Sequence, residues 1–233
     1  IYSHVLKNCK FAITMGKKMD DELFKISHST IKTLHIKSAL QKNNIKLEKK
    51  KNDKGVYKII FAGSIYSKDC WNSLLTSIDE LNLNESINVK LYHFGNYPIT
   101  GVRKSKNLSI LGYIDPEEIK NKLKDYDFGY VPYSFDKNFS LAAKTSFAGK
   151  INDYVFAGLP IFYHGPDDGE VSESIKRHNA GFICDSINVN MIKKVMLKNL
   201  EKQDVYRSNL QSFYDNELLL KKNILLNMIM NNE

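Results

Sequence analysis

Two residues of opposite charge stand one helical turn apart in the stretch Lys150-Ile-Asn-Asp-Tyr-Val-Phe-Ala-Gly-Leu-Pro160: Lys150 and Asp153. A carboxylate presents two acceptor oxygens to neighbouring hydroxyl donors, and bonds to a charged acceptor are the stronger kind. Asp153 is therefore the foremost candidate for holding a ligand. Lys144 and Lys150 flank the loop from Thr145 through Ser146 to Gly149, which leads into a helix N-terminus where exposed amides favour anionic oxygens. The end of the stretch is plainer, because Gly158 suits the end of a helix and Pro160 cannot extend it.

These residues need elements to position them. Apolar runs ending in glycine, Tyr57 to Gly63, Val89 to Gly95 and Leu108 to Gly112, read as strands, as do Phe128 to Pro132, Ile161 to Tyr163 and Gly181 to Cys184. Between them, helices are expected over about Trp71 to Leu81, Pro116 to Tyr126, Lys150 to Ala157 and Val171 to Arg177. Repeated strand–helix units require right-handed crossovers and give an α/β fold, a doubly wound parallel-sheet Rossmann-like domain. Ligands of such sheets sit beyond the carboxyl ends of the strands, so the loops after Gly63, Gly95, Gly112, Pro132 and His164 are the places to look.

Ser64 and Lys68 follow the first of those strands, and Tyr113 and Ile114 follow the third. His164 precedes Gly165-Pro-Asp-Asp-Gly169, a loop that could contact sugar or phosphate and reads equally well as a turn. Glu170 and Glu173 open the next helix, where acidic residues complement the dipole of their own helix. His93 and Tyr92 read as strand side chains beside the Gly95 loop.

Several classes of function drop out. No G-x-G-x-x-G and no G-x-x-x-x-G-K-[ST] occurs, which argues against a dinucleotide dehydrogenase and a P-loop nucleotidase. Cys9, Cys70 and Cys184 are odd in number and form no C-x-x-C pair, which points to a reducing cytoplasm with neither a disulfide framework nor a metal site. The net charge of +8 suits nucleic acid, an anionic membrane surface or anionic small molecules alike. The densest run, Lys46 to Lys54, lacks the interleaved aromatics that stack bases and reads as a solvated linker, so nucleic acid is not an expected partner. No apolar run is long enough to span a bilayer. The chain begins at Ile1 rather than Met, so material upstream is expected.

The order Phe-Ala-Gly-Ser64, Leu-Gly-Tyr-Ile114, Tyr-Asp-Phe-Gly-Tyr-Val-Pro132 and Lys150 to Pro160 resembles the C-terminal, donor-binding domain of family 4 retaining glycosyltransferases, which have the GT-B fold. The likeness covers about residues 57 to 185. Its last element is similar to P-S-K-L-x-E-Y-x-A-x-G-x-P, with Lys150, Asp153, Tyr154, Gly158 and Pro160 in register. The resemblance implies that Asp153 binds the vicinal ribose hydroxyls of a nucleotide diphosphate sugar. It further implies that Tyr113 and Ile114 border the nucleobase, and that the loop after Gly63 approaches the diphosphate.

The chain departs from the family's pattern in two places. Where the family usually has Arg after the first glycine and Lys a few residues on, this chain has Ser64 and Asp69, with Lys68 displaced by one; Lys144 and Lys150 could replace them. In the family's E-x7-E pair, the first position is Thr145 and the second is Asp153. Asp is shorter than Glu by one C–C bond, about 1.5 Å, so the ribose would sit deeper or bind through water.

On this resemblance the expected activity is transfer of a sugar from a nucleotide diphosphate sugar to a glycan or lipid-linked acceptor, with retention and without metal or cofactor. Residues 1–42 would be the final strand and helix of an acceptor-side domain, 43–56 a linker, 57–200 the donor domain and 201–233 C-terminal helices. Peripheral association with the inner face of the membrane fits the basic charge. A non-catalytic nucleotide-sugar-binding subunit and a nucleotide-sugar epimerase are the alternatives.

Overall fold

A computed structural model describes residues 2–28, 31–38, 45, 55–84, 87–96, 100–220 and 222–230. Most of the expected linker, including the run Lys46 to Lys54, lies outside them. The first elements are helix α1 (Tyr2–Asn8), strand β1 (Ala12–Thr14), helix α2 (Lys17–Ser27) and strand β2 (Thr33–His35). β1 and β2 pair in parallel as a small sheet of their own.

A larger sheet follows, built from β3 (Val56–Ala62), β4 (Asn88–Phe94), β5 (Leu108–Gly112), β6 (Phe128–Pro132), β7 (Ile161–His164) and β8 (Gly181–Cys184). All pairs are parallel and the spatial order is β5-β4-β3-β6-β7-β8. This is the doubly wound order, whose direction of winding reverses between β3 and β6 and opens a crevice at their carboxyl ends. The expected fold class is thus the one observed.

The central strands β6 and β7 are buried throughout because both faces are covered. On one face α3 (Lys68–Asn84) and α8 (Val189–Asn199) bury Trp71, Leu74, Ile78, Ile192 and Met196 against Phe61, Tyr130 and Phe162. On the other, α4 (Pro116–Leu123), α6 (Lys150–Phe156) and α7 (Glu170–His178) bury Leu123, Ile151, Tyr154, Val155, Val171 and Ile175. A short helix α5 (Ser140–Thr145) precedes α6, and α9 (Gln203–Ser208), α10 (Leu210–Phe213) and α11 (Lys222–Met230) close the chain, with a π-helical turn at Tyr214–Leu218. Among the described residues no helix is long and apolar enough to cross a membrane.

Helix α6 is bolted to the sheet by one side chain. The fully buried Tyr154 accepts from the Ala62 N–H at 2.9 Å and donates to the Tyr130 carbonyl at 3.3 Å, tying the helix to both strands of the crevice. Its polar tip is satisfied while its ring fills the core.

Candidate functional site

Three strands end side by side on glycines with positive φ, Gly63 (127°), Gly95 (144°) and Gly112 (74°). Their backbones continue the ladder past the strands, Gly63 N–H donating to the Phe94 carbonyl and Gly95 N–H to the Gly112 carbonyl, each at 2.8 Å. The result is a shelf of side-chain-free backbone at the strand ends, where a ligand can approach the main chain closely.

The shelf borders a cavity of about 510 Å³. Gly63, Ser64 and Gly95 line it from the sheet, Tyr113 and Ile114 from the loop after β5, and Lys150 and Asp153 from the first turn of α6. These expected site residues are therefore gathered at one place by four separate elements. Ala62, Phe94, Asn96 and Ile119 complete the wall. Asn96 opens the loop after Gly95, one of the places the topology singles out, whereas Ile119 carried no signal in the sequence, since it neither belongs to a motif nor ends a strand.

Lys150 is the electrostatic centre of the cavity. Its stem rises from α6 and its amine lies 4.0 Å from the Phe61 ring centroid and 6.0 Å from that of Tyr66. Burial pushes its pKa down to about 7, and among the described residues no carboxylate offsets that effect. The aromatic faces supply only partial compensation. A cation so placed favours an anion brought from outside.

His93 does more than fill the strand. Its ring stacks on Phe61 with centroids 5.3 Å apart, and Nε2 lies 2.8 Å from the Gly63 carbonyl. Burial, with the Lys150 charge adding to it, holds the imidazole pKa below its usual value. The neutral ring then donates Nε2–H to Gly63 and fixes the turn that carries Ser64.

Five expected residues lie elsewhere. Lys68 leans toward the loop at Gly101, its Nζ 2.9 Å from where a β-carbon on that glycine would be. Lys144 pairs with Glu22 of α2 at 3.1 Å. Thr145 and Ser146 donate their hydroxyls to the Leu141 and Ala142 carbonyls of α5, the usual back-bond of a helix end. His164 is fully buried, with Nδ1 2.9 Å from the Tyr130 hydroxyl and Nε2 2.8 Å from the Ser186 carbonyl. Burial pushes its pKa down to about 4, so it is a neutral core residue and not a sugar contact.

Glu170 and Glu173 stand in the first turn of α7, as expected of acidic residues at a helix start, and they also reach the N-terminus of α2, where the Lys18 N–H lies 3.4 Å from Glu170 Oε2 and the Lys18 amine 2.6 Å from Glu173.

No protein-family profile and no curated protein matches the sequence. Solved structures do match. TarM of S. aureus, crystallised with UDP and α-GlcNAc-glycerol, superposes with a TM-score of 0.68 at 9% identity over 98% of this chain and 45% of its own. Sucrose-phosphate synthase of Thermosynechococcus elongatus gives 0.66 at 13% identity over 99% and 61%. WaaG, a glycosyltransferase of lipopolysaccharide biosynthesis, gives 0.60 at 13% identity over 89% and 58%. The chain spans about half the length of these proteins. At such identities the likeness is one of fold, and the fold is the one found in GT-B glycosyltransferases.

Proposed function

We propose that the cavity beneath Gly63, Gly95 and Lys150 is the donor site of a glycosyltransferase that takes a nucleotide diphosphate sugar. The observation that carries this reading is the amine of Lys150, whose burial no carboxylate among the described residues offsets, beside a shelf of open backbone and one turn from Asp153. The shared fold with TarM, whose crystals hold UDP, supports it.

In this reading Lys150 neutralises the diphosphate, both in the bound donor and as charge develops on the leaving group. Asp153 accepts from the vicinal hydroxyls of the ribose, and Tyr113 with Ile114 borders the base. The Gly63 turn, held by His93, lets the diphosphate approach the backbone. The sugar passes to a hydroxyl of a glycan or lipid-linked acceptor with retention of configuration and without a metal ion.

Calorimetric titration with UDP, GDP and their sugar conjugates tests the donor site. Binding that weakens about tenfold in Asp153→Ala is expected, the loss of a charge-assisted hydrogen bond. A folded protein that binds none of these nucleotides sinks the proposal.

One observation favours a second reading, a subunit that binds nucleotide sugar without turnover. Lys68 reaches toward Gly101 and Lys144 pairs with Glu22, and Ser64 stands where an arginine is expected, so among the described residues Lys150 is the one cation lining the cavity. Release of nucleoside diphosphate by the intact protein separates the two readings.

A further inference from the structure

The elements α2 and β2 sit on the six-stranded half through charge rather than through a shared apolar core. Among the described residues, no side chain before Ile45 belongs to either core cluster. Several apolar side chains of this part are instead exposed, Ile13 at 52%, Phe24 at 55% and Ile26 at 48%, while Met19, Leu23, Leu34 and Ile36 are half-buried.

What crosses the boundary is ionic. The side chain of Lys37, which follows β2, is only 6% exposed and bonds at 2.8 Å each to Glu170 and to Ser174 of α7. It also contacts Glu217 on the π-helical turn and lies 5.3 Å from the Phe147 ring centroid. Glu217 is held from its other side by Arg177 at 2.6 Å and His178 at 2.9 Å. Glu170 fills the space at Gly16, where a β-carbon would come 2.1 Å from its Oε1. Helix α2 has no side-chain cap of its own, so the Glu170 carboxylate serves its N-terminus from another part of the fold.

We propose that Lys37 is the fulcrum of an ionic clamp, with Glu170 and Glu217 as its jaws, through which α2 and β2 are seated on the six-stranded half and can leave it as a unit without unfolding that half. The physical ground is that a buried cation shared by two carboxylates is strongly favoured while all three are present. Removing Lys37 takes the buried cation from Glu170 and leaves Glu217 to Arg177 and His178. Among the described residues no side chain of α2 or β2 joins a core cluster, and the ion pairs Lys18–Glu173 and Lys144–Glu22, which cross the same seam, are more exposed than those of Lys37. Helix α2, at 11 residues, is too short to persist once undocked.

Amide hydrogen exchange on the whole chain tests the clamp without involving any nucleotide, so its outcome is independent of the donor-site reading. In Lys37→Met the α2 amides from Met19 to Ile26 are expected to exchange about tenfold faster or more, while those of β3 and β6 stay unchanged. Unchanged exchange in α2 overturns the inference. So does equal acceleration in α2, β3 and β6, which would make the cluster a support of the entire fold. Should Lys37→Met not fold, Glu170→Gln keeps the shape, removes one jaw and carries the same two readouts.

Discussion

The ring of Tyr154 occupies the space that a side chain on Gly129 would need: a β-carbon there would lie 2.2 Å from Tyr154 Cδ2. This contact sets how closely α6 approaches β6, and with it the position of Lys150 and Asp153 over the strand ends. Gly129→Ala is therefore expected to cost about 1–3 kcal/mol of stability through overpacking, measurable by denaturant unfolding. It should also weaken nucleotide binding, because the displaced helix carries both charged residues. Tyr154→Phe keeps the ring and loses the two backbone hydrogen bonds, so a smaller cost of about 1–2 kcal/mol is expected.

Lys150 gives a pH signature with a definite sign. Its pKa falls from 10.5 to about 7 on folding because burial disfavours the cation. Between those values the unfolded chain binds more protons than the folded one, so this residue makes stability rise with pH from about 7 to 10.5. An anionic ligand reverses the preference by stabilising the protonated amine. Binding of a nucleoside diphosphate above pH 7 is thus expected to take up a fraction of a proton, read as a buffer-dependent enthalpy in calorimetry. In Lys150→Arg the uptake should vanish, since arginine is charged throughout. A buffer-independent enthalpy in the wild-type chain would contradict this account.

The sheet was legible because its signals are local. Apolar runs that stop at Gly63, Gly95 and Gly112 mark strand ends, and a pattern of strands alternating with helices admits essentially one kind of sheet. The gathering of Gly63, Tyr113, Lys150 and Asp153 follows from that topology alone. The directions of single side chains were not legible. Lys144 turns to Glu22 and Glu170 to Lys37, partners more than a hundred residues away, and nothing near either residue records them. Helix α5 was missed for a different reason: it is a six-residue piece set on a short 3-10 turn that Asp136 caps. His164 looked like a loop residue because it ends a strand before Gly165, yet its ring turns under the sheet to Tyr130.

Asp153 and the ribose form a pair that can be probed from both sides. If the carboxylate accepts from the vicinal hydroxyls, Asp153→Asn and removal of the 2′-hydroxyl from the nucleotide each weaken binding, by about tenfold apiece. Because both changes delete the same contact, the double change should cost little more than either alone. Additive losses in such a cycle would place the carboxylate's partner elsewhere.

His164 supplies the opposite test, a residue whose loss should damage the fold and spare the site. Its two ring nitrogens serve Tyr130 and Ser186, and its ring stacks on Phe162 at 6.2 Å between centroids. Replacement by alanine opens a cavity and leaves the buried Tyr130 hydroxyl and Ser186 carbonyl without these bonds, for an expected cost of about 2–4 kcal/mol. A second consequence follows from the depressed pKa of about 4. The unfolded chain binds a proton that the folded one refuses as pH falls from about 6.5 toward 4, so the wild-type protein loses stability across that range, and His164→Phe should lose less. Nucleotide affinity, measured where the variants remain folded, should not change, because the imidazole faces the core and not the cavity.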